Sequence, residues 1–226
     1  MTAPRAGSIM LRVAQNESLF VPGAVGRLEA LLMRPEGTPV AAAVVCHADP
    51  QQGGVMHFKV VFRAAKALQE QGLAALRFNF RGVGLSEGVH DLGRGEQDDA
   101  RAALDEMERR FPGLPLVLGG FSFGSVVAAR VAAADVRVRA LFLLGLPVAR
   151  IDAPRLLEGI RIPRLFVQGS GDVFGSGEAM GAVVEPLVEP RTLVVVPEAD
   201  HFFGGRLEAL QSAIAAWAAA RPWRAA

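Results

Sequence analysis

Between Pro39 and Pro197 the chain alternates two kinds of segment. One kind is a short apolar run with almost no polar break: "PVAAAVVCH", "LAALRFNF", "LPLVLGGF", "VRALFLLGL", "PRLFVQG" and "RTLVVVP". Runs of this length and continuity are expected of strands buried on both faces. The other kind carries apolar residues at helical spacing. Val60, Val61, Ala64, Ala65 and Leu68 share one face before Gly72, and Ala100, Ala103, Leu104, Met107 and Phe111 share one before Pro112-Gly113. A third helix is expected over Ser125 to Ala134, and a last one carries Leu207, Leu210, Ile214 and Trp217. Two further strands are expected near Ile9–Val13 and Gly26–Met33, with "VPGAVG" as turn material between them. Strands alternating with helices require crossovers, and right-handed crossovers place every C-terminal strand end on one edge. The expectation is an α/β fold: a mostly parallel sheet of about eight strands with helices on both faces. Ligands of such sheets sit beyond the C-terminal edge, so the loops after strands are where chemistry is sought.

Composition narrows the class. Hydrophobic residues make up 51% of the 226 and charged residues 21%, which suits one globular domain over residues 1–226. A formal net charge of +1 offers no electrostatic case for a nucleic-acid or membrane partner. Cys46 is the only cysteine, so no internal disulfide can form. The first residues lack the apolar core of a signal peptide, and no apolar run is long enough to span a bilayer. The expected location is the cytoplasm. Oligomeric state is left open, a homodimer included.

One post-strand loop stands out. "GGFSFGS" matches G-x-S-x-G, in which a serine sits on a sharp turn from strand to helix. The pattern is short, and a serine capping a helix would satisfy it equally well. Its setting, a buried strand before and a helix after, favours a nucleophile at Ser122. A serine needs a base, and the base needs an orienting acid. In this architecture the order is serine, acid, histidine. His47, His57 and His90 all precede Ser122, so the base is His201, directly after the last strand. Asp172, in "QGSGD" after the preceding strand, is the best placed acid. Asp152 is the reserve, and Asp200 adjoins the histidine too closely in sequence. Oxyanion donors are expected from the amide of Phe123 and from the loop "CHADPQQGG", where Asp49 is preferred to Ala48. His47 is a candidate to shape that loop, and Arg81 to tie loops together by charge. Glu96, Asp98 and Asp99 suit the start of a helix. No cofactor is expected, and a metal site from His47, Asp49 and His57 is disfavoured because nothing in the spacing makes them converge.

The landmarks "CHADPQQGGVMHFKVV", "LRFNFRGVGLSEG", "GRGEQDD", "GGFSFGS", "QGSGD" and "ADHFF" together resemble the α/β-hydrolase superfamily over nearly the whole chain. More narrowly they resemble its small, lidless prokaryotic members related to dienelactone hydrolases. The resemblance implies a Ser122, Asp172, His201 triad and an α/β-hydrolase fold. The chain departs from the His-Pro-His-Pro often found in such proteins, reading His47-Ala48-Asp49-Pro50. It also carries serine where dienelactone hydrolases carry cysteine. Pro147 to Ile160 leaves too little chain for a cap domain, so an open, shallow site suited to small or exposed ester substrates is expected. Phe121, Phe123, Phe174, Phe202 and Phe203 are candidate walls. The reading is a serine esterase acting on a small-molecule ester. An acyltransferase or peptidase using the same residues, and a non-catalytic binding protein, are the alternatives.

Overall fold

The computed structural model describes residues 15–223. Eight strands form one sheet: β1 (Gln15–Gly23), β2 (Gly26–Arg34), β3 (Ala41–Cys46), β4 (Leu73–Phe78), β5 (Leu116–Phe121), β6 (Val138–Leu144), β7 (Arg164–Gly169) and β8 (Arg191–Val196). Their spatial order is β1-β2-β4-β3-β5-β6-β7-β8. β2 runs antiparallel to both β1 and β4, and every other pairing is parallel. The helices are α1 (Lys59–Glu70), α2 (Glu96–Arg110), α3 (Phe123–Ala134), α4 (Ala153–Leu157), α5 (Gly177–Val184) and α6 (Leu207–Ala219). This is the α/β-hydrolase fold with no added cap: between β6 and β7 there is only the short α4.

Except for β8, an edge strand that buries only Val196, the continuous apolar runs lie in the interior of the sheet for a simple geometric reason. Successive residues of a strand face opposite sides of the sheet. Ala41, Ala43 and Val45 of β3 join the core that α1 and α6 cover, with Val61, Leu68, Ile214 and Trp217. Ala42, Val44 and Cys46 join the core on the other face, with Leu104, Met107, Val127 and Val131 of α2 and α3. Both faces of the inner strands are therefore dry, and no polar alternation could survive there.

The first strand among the described residues, β1, was not expected at its position. The expected strand at Ile9–Val13 falls outside the described residues, whereas β1 runs through Val21-Pro22-Gly23 and the turn is only Ala24-Val25. β1 is an edge strand paired on one side only, where a proline costs no ladder bond that matters. Its solvated sequence, "QNESLFVPG", buries only Val21, which hides the strand from pattern reading. The short α4 and the glycine-bearing α5 also carry no clear helical signal. No helix among the described residues is long and apolar enough to cross a membrane.

The long loop between β4 and α2 is held by a buried ion pair. The Arg81 Nη2 donates to Asp99 Oδ1 at 2.7 Å, Nε donates to the same carboxylate, and the Arg81 backbone N–H donates to Oδ2 at 3.0 Å. The Asp99 side chain is fully buried. Glu96, also buried, accepts from the backbone N–H groups of Asp91 and Gly93. These two acids thus pin the loop, a stronger role than favouring a helix end. Breaking a buried pair leaves an uncompensated charge, so Asp99→Asn should cost about 3–5 kcal/mol in urea unfolding. Arg137→Ala, which opens a solvent-facing cluster with Asp105, Glu108 and Asp135, should cost about 1 kcal/mol or less. Equal losses in the two variants would contradict this account.

Candidate active site

Ser122 follows β5 directly and caps α3 with φ 53° and ψ −116°. Non-glycine residues seldom adopt positive φ, and the surroundings must enforce it. They do so by close packing. A Cβ on Gly120 would lie 2.5 Å from the Gly124 backbone, and one on Gly124 would lie 2.4 Å from the His47 carbonyl oxygen. The turn therefore fits only if both positions lack side chains. The Ser122 N–H donates to the Leu144 carbonyl at 2.9 Å, which fastens the turn to β6. α3 starts at Phe123, so that residue's N–H lies at a helix N-terminus, where partial positive charge gathers.

His201 and Asp172 reach the same point from the next two strands. His201 lies after β8, and its Nε2 is 2.9 Å from Ser122 Oγ. Asp172 lies after β7, and its Oδ2 is 2.8 Å from His201 Nδ1. Both side chains are almost fully buried. Asp172 Oδ1 accepts from the Phe174 N–H at 2.8 Å, so it also closes a turn of its own loop. Gln168 escaped the sequence reading: its Nε2 donates to Asp172 Oδ2 at 2.9 Å and to the Gly175 carbonyl at 2.7 Å. No local signal marks a strand glutamine as the partner of a loop aspartate. The reserve acids point elsewhere. Asp152 accepts from the Arg155 N–H at the start of α4, and Asp200 accepts from the N–H groups of Phe202 and Gly204.

The loop after β3 completes the site. His47 is fully buried. Its Nε2 accepts from the Phe80 N–H at 3.0 Å, so Nδ1 carries the proton and donates to the Ala48 carbonyl at 2.6 Å. The Ala48–Asp49 peptide is trans, so its N–H points away from the His47 ring. Asp49 borders a cavity of about 240 Å³ together with Ser122 and Phe123. Its carboxylate accepts from the Gln51 N–H and from Gln52 Nε2, which turns that charge toward its own loop. Gly54 is more than a turn residue, since a Cβ there would lie 2.0 Å from the Ala48 oxygen. His57 is on the surface, and among the described residues no group of three or more His, Cys, Asp or Glu is placed to hold a metal ion.

Of the expected walls, Phe123 and Phe174 line the cavity. Phe174 also meets the His201 ring edge-on at 4.5 Å. Phe202 lies beside His201 at 5.3 Å and is half exposed, while Phe121 and Phe203 are core residues. Arg130 and Arg150 stand on the cavity's border, and Arg150 stacks over Phe174 at 4.0 Å.

Burial lowers the pKa of His47 to about 4. Above pH ~6.5 the ring is neutral in both folded and unfolded chains, and nothing is lost. As pH falls below that value, the unfolded chain gains a proton that the folded chain refuses until about pH 4. This one group should therefore remove about 3 kcal/mol of stability across that window. His47→Gln, which does not titrate, should show a shallower fall between pH 7.5 and 4.5 in urea unfolding. A slope equal to the wild type's would refute the assignment.

Known proteins match this chain in sequence and shape. A family model described as an alpha/beta hydrolase domain matches residues 44–221. An uncharacterized protein of Rickettsia prowazekii is 32% identical over 205 residues, covering 87% of this chain and 86% of its own. A solved alpha-beta serine hydrolase homologue from Coxiella burnetii is 39% identical, with TM-score 0.83 over 90% of this chain and 98% of that one. An α/β serine hydrolase without a lid from Xanthomonas campestris is 37% identical, with TM-score 0.82 over 90% of this chain and 93% of that one. Together with a post-strand serine hydrogen-bonded to a histidine, this extent of match means that the chain belongs to the alpha/beta hydrolase family.

Proposed function

We propose that this hydrolase is a serine carboxylesterase that works through an acyl-enzyme on small or exposed esters. The reading rests on the hydrogen-bonded chain from Ser122 Oγ through His201 to Asp172, at 2.9 and 2.8 Å. His201 Nε2 takes the Ser122 proton as Oγ bonds to the ester carbonyl carbon. Asp172 accepts from Nδ1–H, holds the ring in that tautomer and stabilises the cation that forms. The carbonyl oxygen becomes an oxyanion facing the N–H groups of Phe123 and Asp49. When the tetrahedral species collapses, the alkoxide leaves with the proton from Nε2, and the acyl group stays on Ser122. Water then gives a proton to Nε2 as its oxygen bonds to the acyl carbon. When this second tetrahedral species collapses, the Oγ–carbon bond breaks, Nε2 returns the proton to Oγ, and the acid leaves a restored Ser122. Gln168 is a positioning residue, because it touches only Asp172 and backbone carbonyls.

The cavity of about 240 Å³ is small for a ligand site. It favours short acyl chains. Arg130 and Arg150 border it without an ion-pair partner among the described residues. Esters bearing a negative charge should gain from both.

A fluorophosphonate probe should label Ser122 in the wild type and leave Ser122→Ala unlabelled. With nitrophenyl esters of rising chain length, kcat/KM should peak at the short end. Ser122→Ala and Asp172→Asn should each lose about 10⁴-fold in kcat or more. Undiminished hydrolysis by Ser122→Ala would defeat the proposal. When alcohols or amines compete with water, the free acid should remain the main product; an ester or amide product would assign acyl transfer instead.

A further inference from the structure

A cleft of about 560 Å³ opens beside the N-terminal end of β7, at the sheet edge opposite Ser122. It shares no lining residue with the cavity at Ser122. One side is α4 and the chain leading into β7, and the other is the end of α5 and the chain leading into β8. Leu157, Ile160 and Leu187 give it apolar walls, while Arg155, Arg161 and Arg164 bring three cations.

Arg164 is the unusual member. Only about 1% of this residue is exposed. Its Nη2 donates to the Val188 carbonyl, but its buried Nε has no acceptor. Among the described residues no carboxylate lies within ion-pair distance of Arg155, Arg161 or Arg164. Two acids border the cleft. Asp152 Oδ1 is engaged by the Arg155 N–H, and Glu158 is exposed to solvent. Arg191 also stands near and is paired with Glu189 at 3.0 Å. Burial, then the like charges of Arg161 and Arg191, work against the charged form of Arg164, and the more distant Glu189 carboxylate offsets only part of this. A buried guanidinium with an idle donor and cationic neighbours is a costly arrangement unless an anion answers it.

We propose that this cleft is a second binding site, for a small amphiphilic anion with a carboxylate or phosphate head and a short hydrocarbon body. The head group would take the donors of Arg164 and the charge of Arg161, since planar guanidinium groups suit both oxyanions. The body would lie against Leu157, Ile160 and Leu187. This site stands independently of the esterase reading, because no residue of it touches Ser122, Asp172 or His201.

The test is titration calorimetry at neutral pH on the full chain, with hexanoate, hexyl phosphate and hexanol as probes. Four proteins are compared: wild type, Arg161→Ala, Arg164→Met and Arg150→Ala. Arg161 is exposed, so its variant should unfold at the wild-type temperature, which keeps the test valid if Arg164→Met fails to fold. At least one anion should bind the wild type saturably and hexanol should not; the tighter anion identifies the head group. Arg161→Ala should weaken that binding by about tenfold or more, and Arg150→Ala, at the other cavity, should leave it unchanged. Absence of saturable anion binding, equal affinity in Arg161→Ala, loss in Arg150→Ala alone, or equal binding of hexanol would each overturn the proposal.

Discussion

Gly124 rests on the carbonyls of Cys46 and His47, and much of the site depends on that one contact. It presses the turn after β5 against the loop after β3. The contact exists because β3 and β5 are hydrogen-bonded neighbours, with Cys46 paired to Gly120. Two things follow from it. Ser122 is forced into positive φ at the head of a helix, and the Ala48–Asp49 peptide is brought to the same cavity. A larger residue at Gly124 would separate the two loops and lose both.

Strain at Ser122 of this kind costs on the order of 1–3 kcal/mol, so the surroundings must over-determine the turn. The dry sheet does so. β3, β4, β5 and β7 are buried along their whole length, with separate apolar cores on the two faces. Close-packed interiors resist small displacements. Strand ends held this firmly can present Asp49, Ser122, Asp172 and His201 from loops without a covering domain. His47 extends the same logic to electrostatics, because burial keeps its ring neutral and able to fix one carbonyl.

Most of the strands legible in the sequence are continuous apolar runs buried on both faces, though the β8 run is equally apolar and lies at the sheet edge with only Val196 buried. The legible helices are those with a long apolar stripe. β1 was missed at its true position because an edge strand exposed to solvent has no such pattern. α4 and α5 were missed because they are short, and α5 contains Gly177 and Gly181. For the site, chain order alone singled out His201, since no other histidine follows Ser122. Gln168 and Gly54 were not legible. One acts on an aspartate in the loop ahead and the other on a carbonyl behind it, and neither contact has a local sequence signature.

By itself the sequence determined the layering of the fold and the edge where its post-strand loops gather, and it nominated the serine, histidine and aspartate that meet there. Periodicity reports burial, and burial is a local property of each segment, so those conclusions needed no coordinates. Tertiary structure decided the rest. It turned the Asp49 carboxylate into its own loop, made Asp99 and Glu96 buried anchors, and left Arg164 short of an acceptor beneath the sheet. Each of these depends on which atoms from distant segments fall within about 3 Å of one another, and a linear pattern holds no record of that distance.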